Sequence, residues 1–259
     1  MDKQQDMSFW EHLDELRGVL IRCLVVWLIA TIVVFFFRDT LFAILFAPAK
    51  NDFILYRLLC RIAEATGWQA ICPQDFTIGF INTELTRQFM THLEVSLCMG
   101  AMIVSPYLIV QFYGFISPAL YEKEKRYSRK IIFWAVVLFL LGILLNYFII
   151  FPFSFRFLGT YQVNENVVNQ ISLTSYISTF LVTSLLLGIM FELPVLSYIL
   201  AKTGIIDASL LRRYRRHAIV AIVIVAAVIT PTADIFTLLI VSIPIYLLYE
   251  LSILIVSHC

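Results

Sequence analysis

The 259-residue sequence is too apolar to be that of a soluble protein. Hydrophobic residues make up 61% of the chain and charged residues only 14%, whereas about 25% of a typical soluble domain is charged. The net charge of +1 excludes a general electrostatic attraction to nucleic acid. With a mean hydropathy of +0.88, the composition predicts an integral membrane protein.

Residues 1–17 are predicted to form a short amphipathic helix before the first membrane span. Residues 8–11 match a capping box, in which serine and glutamate side chains accept hydrogen bonds from two free backbone amides. Leu13 belongs to an apolar stripe at helical spacing. Another face carries three acidic residues, Glu11, Asp14 and Glu15. Because like charges at this spacing repel each other, this face either binds a cation or remains a solvated acidic surface.

Six apolar stretches are predicted to cross the membrane as helices, since one crossing takes about 20 residues. Together they form an all-α membrane domain, residues 18–256. Basic residues concentrate in the segments 113–130 and 201–216. Because cytoplasmic segments are the ones enriched in lysine and arginine, six spans place both termini in the cytoplasm. The spans lie at about residues 18–37, 91–112, 131–153, 175–200, 217–231 and 235–256.

Two cysteines, Cys60 and Cys72, lie in the long segment between the first two spans. On an oxidising side of the membrane they would form a disulfide, and closing so short a loop would add about 3 kcal/mol of stability. The alternative is two free thiols, one of them packed on an amphipathic helix around residues 53–65. Cys23 and Cys98 fall within spans and are interpreted as small apolar side chains.

The segment after the second span contains a proline and two acids among several basic residues. Pro118 is predicted to end the preceding helix near Ser117. Glu124 lies in the basic stretch, where charge patterning alone favours a surface loop with local salt bridges. Phe115 and Tyr121 fit the aromatic residues that flank a membrane.

Glu192 is a carboxylate inside the fourth span, with no basic residue within nine positions on either side. A charge at the centre of a membrane helix costs about 2.5–3.5 kcal/mol, which indicates a function. Pro194 follows two positions later and is predicted to kink or break the helix. Two alternatives remain open: a polar contact for a partner helix or a hydrated dent in the bilayer, and a protonated glutamate hydrogen-bonded within the bundle.

The last two spans are joined by a tight turn that contains Pro231. Residues 217–233 would form only about 26 Å of helix, which is shorter than a bilayer core of about 30 Å. This predicts either local thinning of the membrane or a turn that is immersed in it. Asp234 is expected to act first as the N-cap of the last helix and second as a functional acid.

Several short motifs, taken together and in this order, resemble TatC, the multi-spanning receptor subunit of the twin-arginine protein translocase. They are residues 12–17 (HLDELR), 47–48 (AP), 115–121 (FISPALY) with Glu124, 191–195 (FELPV), Thr230-Pro231 with Asp234, and 243–246 (IPIY) with Tyr249-Glu250. The resemblance implies six helices in a curved, concave bundle. It also implies a receptor in the bacterial inner membrane that binds twin-arginine signal peptides at the cytoplasmic face. With TatA- and TatB-type single-span partners, in a larger self-associated complex, such a receptor exports folded proteins using the proton-motive force.

The resemblance also assigns roles to residues. Glu15 and Glu124 are the carboxylates expected to receive the signal-peptide arginines, which suits the planar, two-pronged hydrogen bonding of arginine. The neighbouring apolar and aromatic side chains Leu13, Phe115 and Tyr121 are expected to complete this site. A second group, Glu192, Pro194 and Asp234, is expected to form an intramembrane contact for a partner. Three prolines are expected to be structural: Pro48, Pro118 and Pro231.

Other classes of function have weaker support in the sequence. No H-E-x-x-H, phosphate-loop or G-x-S-x-G motif is present, so no enzyme, cofactor or metal site is expected. The main alternative is a secondary transporter or channel that uses Glu192 and Asp234 as a proton or ion relay. Glu94 stands where the family often has lysine, and no role is carried over to it.

Overall fold

The computed structural model describes residues 9–68, 72, 79–116, 125–162, 164, 169–230 and 234–258. Nearly all of these residues are helical, as the composition predicts. The α-helices, in chain order, are α1 (Phe9–Phe36), α2 (Arg38–Phe46), α3 (Ile54–Thr66), α4 (Arg87–Ile116), α5 (Lys125–Leu145), α6 (Phe151–Thr160), α7 (Leu173–Met190), α8 (Leu193–Lys202), α9 (Ala208–Arg213), α10 (Arg215–Ile229) and α11 (Ile235–Ser257). A 3₁₀ turn, Ala47–Ala49, follows α2, and a π-helical turn, Asn146–Ile150, joins α5 to α6.

Five helical stretches in the described part of the chain are long and apolar enough to cross a membrane. They are Leu13–Phe36, Arg87–Phe115, Lys130–Thr160, Leu173–Lys202 and Ile235–Ser257. These correspond to five of the six predicted spans. The remaining one corresponds to α10, whose 15 residues give only about 22 Å of helix. A sixth crossing therefore stays a prediction.

The first helix is longer than expected. The sequence predicts a separate helix over residues 1–17, but α1 runs without a break from Phe9 to Phe36. The physical reason is that residues 9–36 contain no proline, which would break the helix. At Gly18, an added Cβ would meet no atom of the described residues within 4 Å, so no contact there forces a bend. The predicted cytoplasmic helix and the first span therefore share one axis. Ser8 of the predicted capping box lies outside the described residues.

Helices α1 and α4 pack side by side and run in opposite directions. The Phe35 ring stacks on His92, with ring centroids 4.0 Å apart. Further along, Thr31 lies so close to Gly100 that a Cβ on this glycine would come within 2.7 Å of the threonine hydroxyl. Small residues allow membrane helices to approach in this way. The residue that is higher in number on α1 thus contacts the residue that is lower in number on α4. The two helices are therefore antiparallel, and these pairs define their register.

One buried cluster joins α2 and α4 to α6 and α7. Its central side chain is Tyr176, which is almost fully buried and donates a hydrogen bond of 2.8 Å to the carbonyl oxygen of Leu45. Rings of Phe151 and Phe155 contact the Tyr176 ring edge-on. The short parallel strands β1 (Phe80–Ile81) and β2 (Ile171–Ser172) pair beside this cluster. A second cluster joins α7 to α10 and α11 and includes Phe191, Ala226 and Ile245.

The segment between α1 and α4 carries the predicted cysteine pair as a disulfide, Cys60–Cys72. Helix α3 holds Cys60 and also buries Tyr56, whose hydroxyl donates to the carbonyl oxygen of Pro152 over 3.0 Å. Burial raises the pKa of Tyr56 to about 12, although Arg156 above its ring partly opposes this shift. The buried Pro48, in the 3₁₀ turn, is also within hydrogen-bond distance of this hydroxyl, at 3.3 Å. Pro48 therefore helps to seat α3 on the bundle.

Candidate functional site

The fourth span is broken at Glu192. Helix α7 ends at Met190 and α8 begins at Leu193, with Pro194 in the first turn of α8. Proline lacks an amide hydrogen and clashes with the preceding helical turn, which accounts for the break that the sequence predicts at this point. The two helical segments are joined through Glu192, whose carbonyl oxygen accepts a hydrogen bond from the amide of Leu196.

The carboxylate of Glu192 is buried. Neither of its oxygens has a hydrogen-bond partner among the residues that the structure describes. The half-buried Tyr113 of α4 lies near Glu192. In the described part of the chain, the alternative of a glutamate hydrogen-bonded within the bundle is not what is found.

The position of this acid is set by close packing of α5 against α7. Phe191 is 3% exposed, and its ring lies next to Gly142. Gly188 meets the ring of Phe139 in the same interface. Two glycines thus let the helix backbones approach directly beside the break. Neither glycine is predicted from the sequence to form a contact, although small residues in apolar helices indicate such contacts.

Asp234 is the N-cap of α11, as predicted. Its backbone is extended, and its Oδ1 accepts a hydrogen bond of 2.7 Å from the amide of Thr237. A capping side chain satisfies one of the free amides at the start of a helix. Its other oxygen, Oδ2, is buried and has no partner among the described residues. Pro231, the predicted structural proline of the same turn, lies outside the described residues.

Asp234 and Glu192 lie far apart along the bundle. Phe157, in α6, stacks on Phe236 at the start of α11, with ring centroids 4.2 Å apart. Asn169, just before α7, donates to a carbonyl oxygen in α6, so α7 also begins at this end. Glu192 comes nineteen residues after the first residue of α7, or about 28 Å of helix. The two acids therefore do not form a direct relay.

The predicted signal-peptide site is described only in part. Leu13 and Glu15 are exposed on the first turns of α1, and Phe115 lies half-buried at the end of α4. In the antiparallel register set by Thr31 and Gly100, Glu15 is level with the last turn of α4. The other predicted members, Glu124, Tyr121 and the structural Pro118, lie outside the described residues.

An ion pair that is not predicted from the sequence joins the start of α10 to the second half of α11. Arg215 and Glu250 form a salt bridge of 2.7 Å, and the Tyr246 hydroxyl donates to the other Glu250 oxygen over 2.9 Å. Tyr249 donates to the carbonyl oxygen of Leu211. The spacing of four between Tyr246 and Glu250 is a signal for the local bond, but Arg215 comes from a distant part of the chain. These contacts fasten α9 and α10 to α11.

Glu94, the departure from the family pattern, also has a partner. Arg87 lies 3.4 Å from the Glu94 carboxylate and donates to the hydroxyl of Thr174 over 2.7 Å. Arg87 thus joins the start of α4 to the start of α7. These contacts indicate that Glu94 has a structural role.

Comparison with known proteins decides the family. The family model described as Sec-independent protein translocase protein (TatC) matches residues 11–244. The chain belongs to the TatC family. It is 36% identical over 255 residues to the TatC protein of Blattabacterium sp. subsp. Periplaneta americana, covering 97% of the chain and 96% of the relative. It is 33% identical over 248 residues to TatC of Aquifex aeolicus, covering 95% and 93%.

The fold is similar to that of a solved TatC. A crystal structure described as the twin arginine translocase receptor TatC superposes with a TM-score of 0.76 at 32% identity, covering 96% of this chain and 99% of the other. The TatC resemblance of the motifs is therefore confirmed. The chain is a multi-pass membrane protein and a component of the Sec-independent translocase, which belongs to protein transport rather than to an enzyme family.

Proposed function

We propose that this chain is the receptor that binds twin-arginine signal peptides at the cytoplasmic face of the bacterial inner membrane. With TatA- and TatB-type single-span partners, and in a self-associated complex, it exports folded proteins using the proton-motive force. The observation that carries the proposal is the exposure of Asp14 and Glu15 on α1, with Glu15 level with the end of α4. Membership of the TatC family supports it.

The recognition chemistry is that of arginine with carboxylate. Glu15 and Glu124 would each accept paired hydrogen bonds from a guanidinium group, whose planar fork matches a carboxylate. Leu13, Phe115 and Tyr121 would cover the apolar residues of the signal peptide. A lysine pair in the ligand would bind less tightly, because an ammonium group presents its donors from a single point.

The topology that this function requires has six crossings, with both termini in the cytoplasm. Helix α10 would make the fifth crossing despite its 15 residues, because the bilayer thins locally around a short hydrophobic helix. The basic residues of segments 113–130, at the start of α5, and 201–216, before α10, support this orientation. The curved bundle would present Glu192 on its concave face to a polar group of a partner helix.

Photocrosslinking tests the recognition step. A photoreactive residue at position 14, next to Glu15, is used in membranes that contain both single-span partners and a precursor with a twin-arginine signal peptide. Glu15→Ala and Glu124→Ala are each expected to lower the crosslinked fraction about tenfold, since a hydrogen bond to a charged group is worth about 1.5–3 kcal/mol. A signal peptide with two lysines is expected to crosslink weakly to the parent chain.

The matched control is Glu64→Ala, which removes an exposed glutamate from α3. It is expected to leave crosslinking unchanged. Full crosslinking and export by the Glu15→Ala/Glu124→Ala double variant would contradict the proposed site.

The alternative function, a transporter or channel with a Glu192–Asp234 relay, has a separate test. The purified chain in proteoliposomes would carry a proton or ion flux that Glu192→Gln abolishes. The receptor proposal expects no such flux. The helix distance of about 28 Å between the start of α7 and Glu192 disfavours direct transfer between these acids.

A further inference from the structure

A groove between α5, α8 and α11 has one charged end. Its volume is about 420 Å³. Lys130 lies at one end, Trp134 and Leu138 continue along α5, and Tyr198 and Leu251 form the facing walls. Apart from the lysine, the walls are mainly apolar. We refer to it as the α5 groove.

The length of the α5 groove matches one leaflet of a bilayer. Eight residues separate Lys130 from Leu138, or about 12 Å of helix. Half of a bilayer core of about 30 Å is about 15 Å. Trp134 is 57% exposed, and aromatic residues of this kind concentrate where membrane meets water. The groove thus extends from the interface into the hydrocarbon of the leaflet on the Lys130 side.

The entrance of the α5 groove is positively charged. Lys202 lies beside the groove, because its Nζ is 5.8 Å from the centroid of the Tyr198 ring that forms a wall. The antiparallel contacts of Gly142 with Leu187 and of Asn146 with Ser184 place Lys202 level with Lys130. Both lysines are exposed. Among the residues that the structure describes, no carboxylate forms an ion pair with either of them. The sequence adds further basic residues just before Lys130, namely Lys125, Arg126 and Arg129.

We propose that the α5 groove binds an anionic phospholipid, with an acyl chain along Trp134 and Leu138 and the phosphate between Lys130 and Lys202. Basic pockets between membrane helices are typical sites for anionic headgroups. The two exposed lysines at one end and the apolar walls match the anionic headgroup and the acyl chain of such a lipid.

Lipid photolabelling tests the proposal. The full-length chain is reconstituted in phosphatidylcholine vesicles that contain either phosphatidylglycerol or phosphatidylcholine with a diazirine on one acyl chain, at equal mole fraction. Labelled peptides are then identified by mass spectrometry. The peptide with Trp134 and Leu138 is expected to be labelled about tenfold more by the anionic lipid, because each lysine near a membrane surface attracts anionic lipid several-fold.

Two double variants separate the groove from general surface charge. Lys130→Gln/Lys202→Gln is expected to remove the preference for phosphatidylglycerol at this peptide. Lys50→Gln/Arg61→Gln removes two exposed cations from the segment between α1 and α4 and is expected to preserve it. A single gel-filtration peak at the parent position verifies that each variant is folded.

Three outcomes would overturn the proposal. The first is equal labelling of the parent chain by the two lipids. The second is a preference for phosphatidylglycerol that survives in Lys130→Gln/Lys202→Gln. The third is loss of all labelling of this peptide when a single-span partner is added, which would assign the α5 groove to a protein helix instead.

Discussion

Gly142 of α5 lies directly against the backbone of α7 at Leu187. A Cβ placed on this glycine would come within 2.8 Å of the Leu187 carbonyl oxygen and 2.9 Å of the Phe191 ring. Neither the backbone oxygen nor a ring that is 3% exposed has space to move away. Because Phe191 directly precedes Glu192, this contact fixes the position of the carboxylate within the bundle.

Gly142→Ala is therefore expected to lower the free energy of unfolding by about 1–3 kcal/mol, the usual cost of overpacking. The control is Gly114→Ala in α4, where an added Cβ meets no atom of the described residues within 4 Å and alanine favours the helix. Thermal unfolding in detergent measures both. Equal midpoints for the two variants would show that α5 and α7 are not in direct contact.

The ion pair of Arg215 and Glu250 is expected to couple α10 to α11. In a double-mutant cycle with Arg215→Gln and Glu250→Gln, the coupling should be about 1 kcal/mol, because Glu250 is only partly exposed and is also held by Tyr246. The measurement is unfolding by a denaturing detergent. The more exposed pair of Arg57 and Asp52, at 3.3 Å, is the control and should show a coupling close to zero. A coupling close to zero for Arg215 and Glu250 as well would contradict the structural role of this pair.

The disulfide in the segment between α1 and α4 is expected to stabilise the fold. Its cysteines are 12 residues apart, and loops of this size gain about 3 kcal/mol in the chain-entropy description. A reducing agent should lower the unfolding midpoint of the parent chain and have no effect on Cys60→Ser/Cys72→Ser. Cys98→Ser should keep the response to reductant. Alkylation of Cys60 and Cys72 in unreduced, unfolded protein would show instead that they are free thiols.

The sequence predicted the features that depend on neighbouring residues. The break before Pro194 and the cap at Asp234 follow from local rules about proline and about free amides at a helix start, and the structure has both. Five membrane helices follow in the same way from long apolar stretches. The disulfide required only two cysteines in one short loop.

The features that it did not predict depend on residues distant in the chain. Arg215 meets Glu250 across 35 positions, and Gly142 meets α7 only after both helices have packed. The π-helical turn at Asn146 is stabilised by hydrogen bonds from its side chain to Thr183 and Ser184. Sequence spacing contains no direct information on these long-range pairs. The continuous α1 differs from the predicted boundary at residue 17 for another reason, because a change from polar to apolar residues does not end a helix.

Asp234 permits a test that separates capping from acid function. Asp234→Ala is expected to cost about 1 kcal/mol, because the amide of Thr237 loses its acceptor. Asp234→Asn keeps an oxygen at the cap and should unfold at nearly the parent midpoint. Export measured with both variants completes the comparison. If the asparagine variant is stable but inactive in export, the carboxylate has a function beyond the cap.

We expect Glu192 to make the purified chain less stable than an apolar residue at the same position would. Both of its oxygens are buried without a partner among the described residues, and a charged group inside a membrane helix is unfavourable by about 2.5–3.5 kcal/mol. Glu192→Leu should therefore raise the unfolding midpoint of the purified chain and weaken its crosslinking to the single-span partners. Glu250→Leu is the contrasting variant, because this glutamate has two partners, and it should lower the midpoint. A lower midpoint for Glu192→Leu would mean that the carboxylate stabilises the isolated bundle, and its assignment to a partner contact would then be wrong.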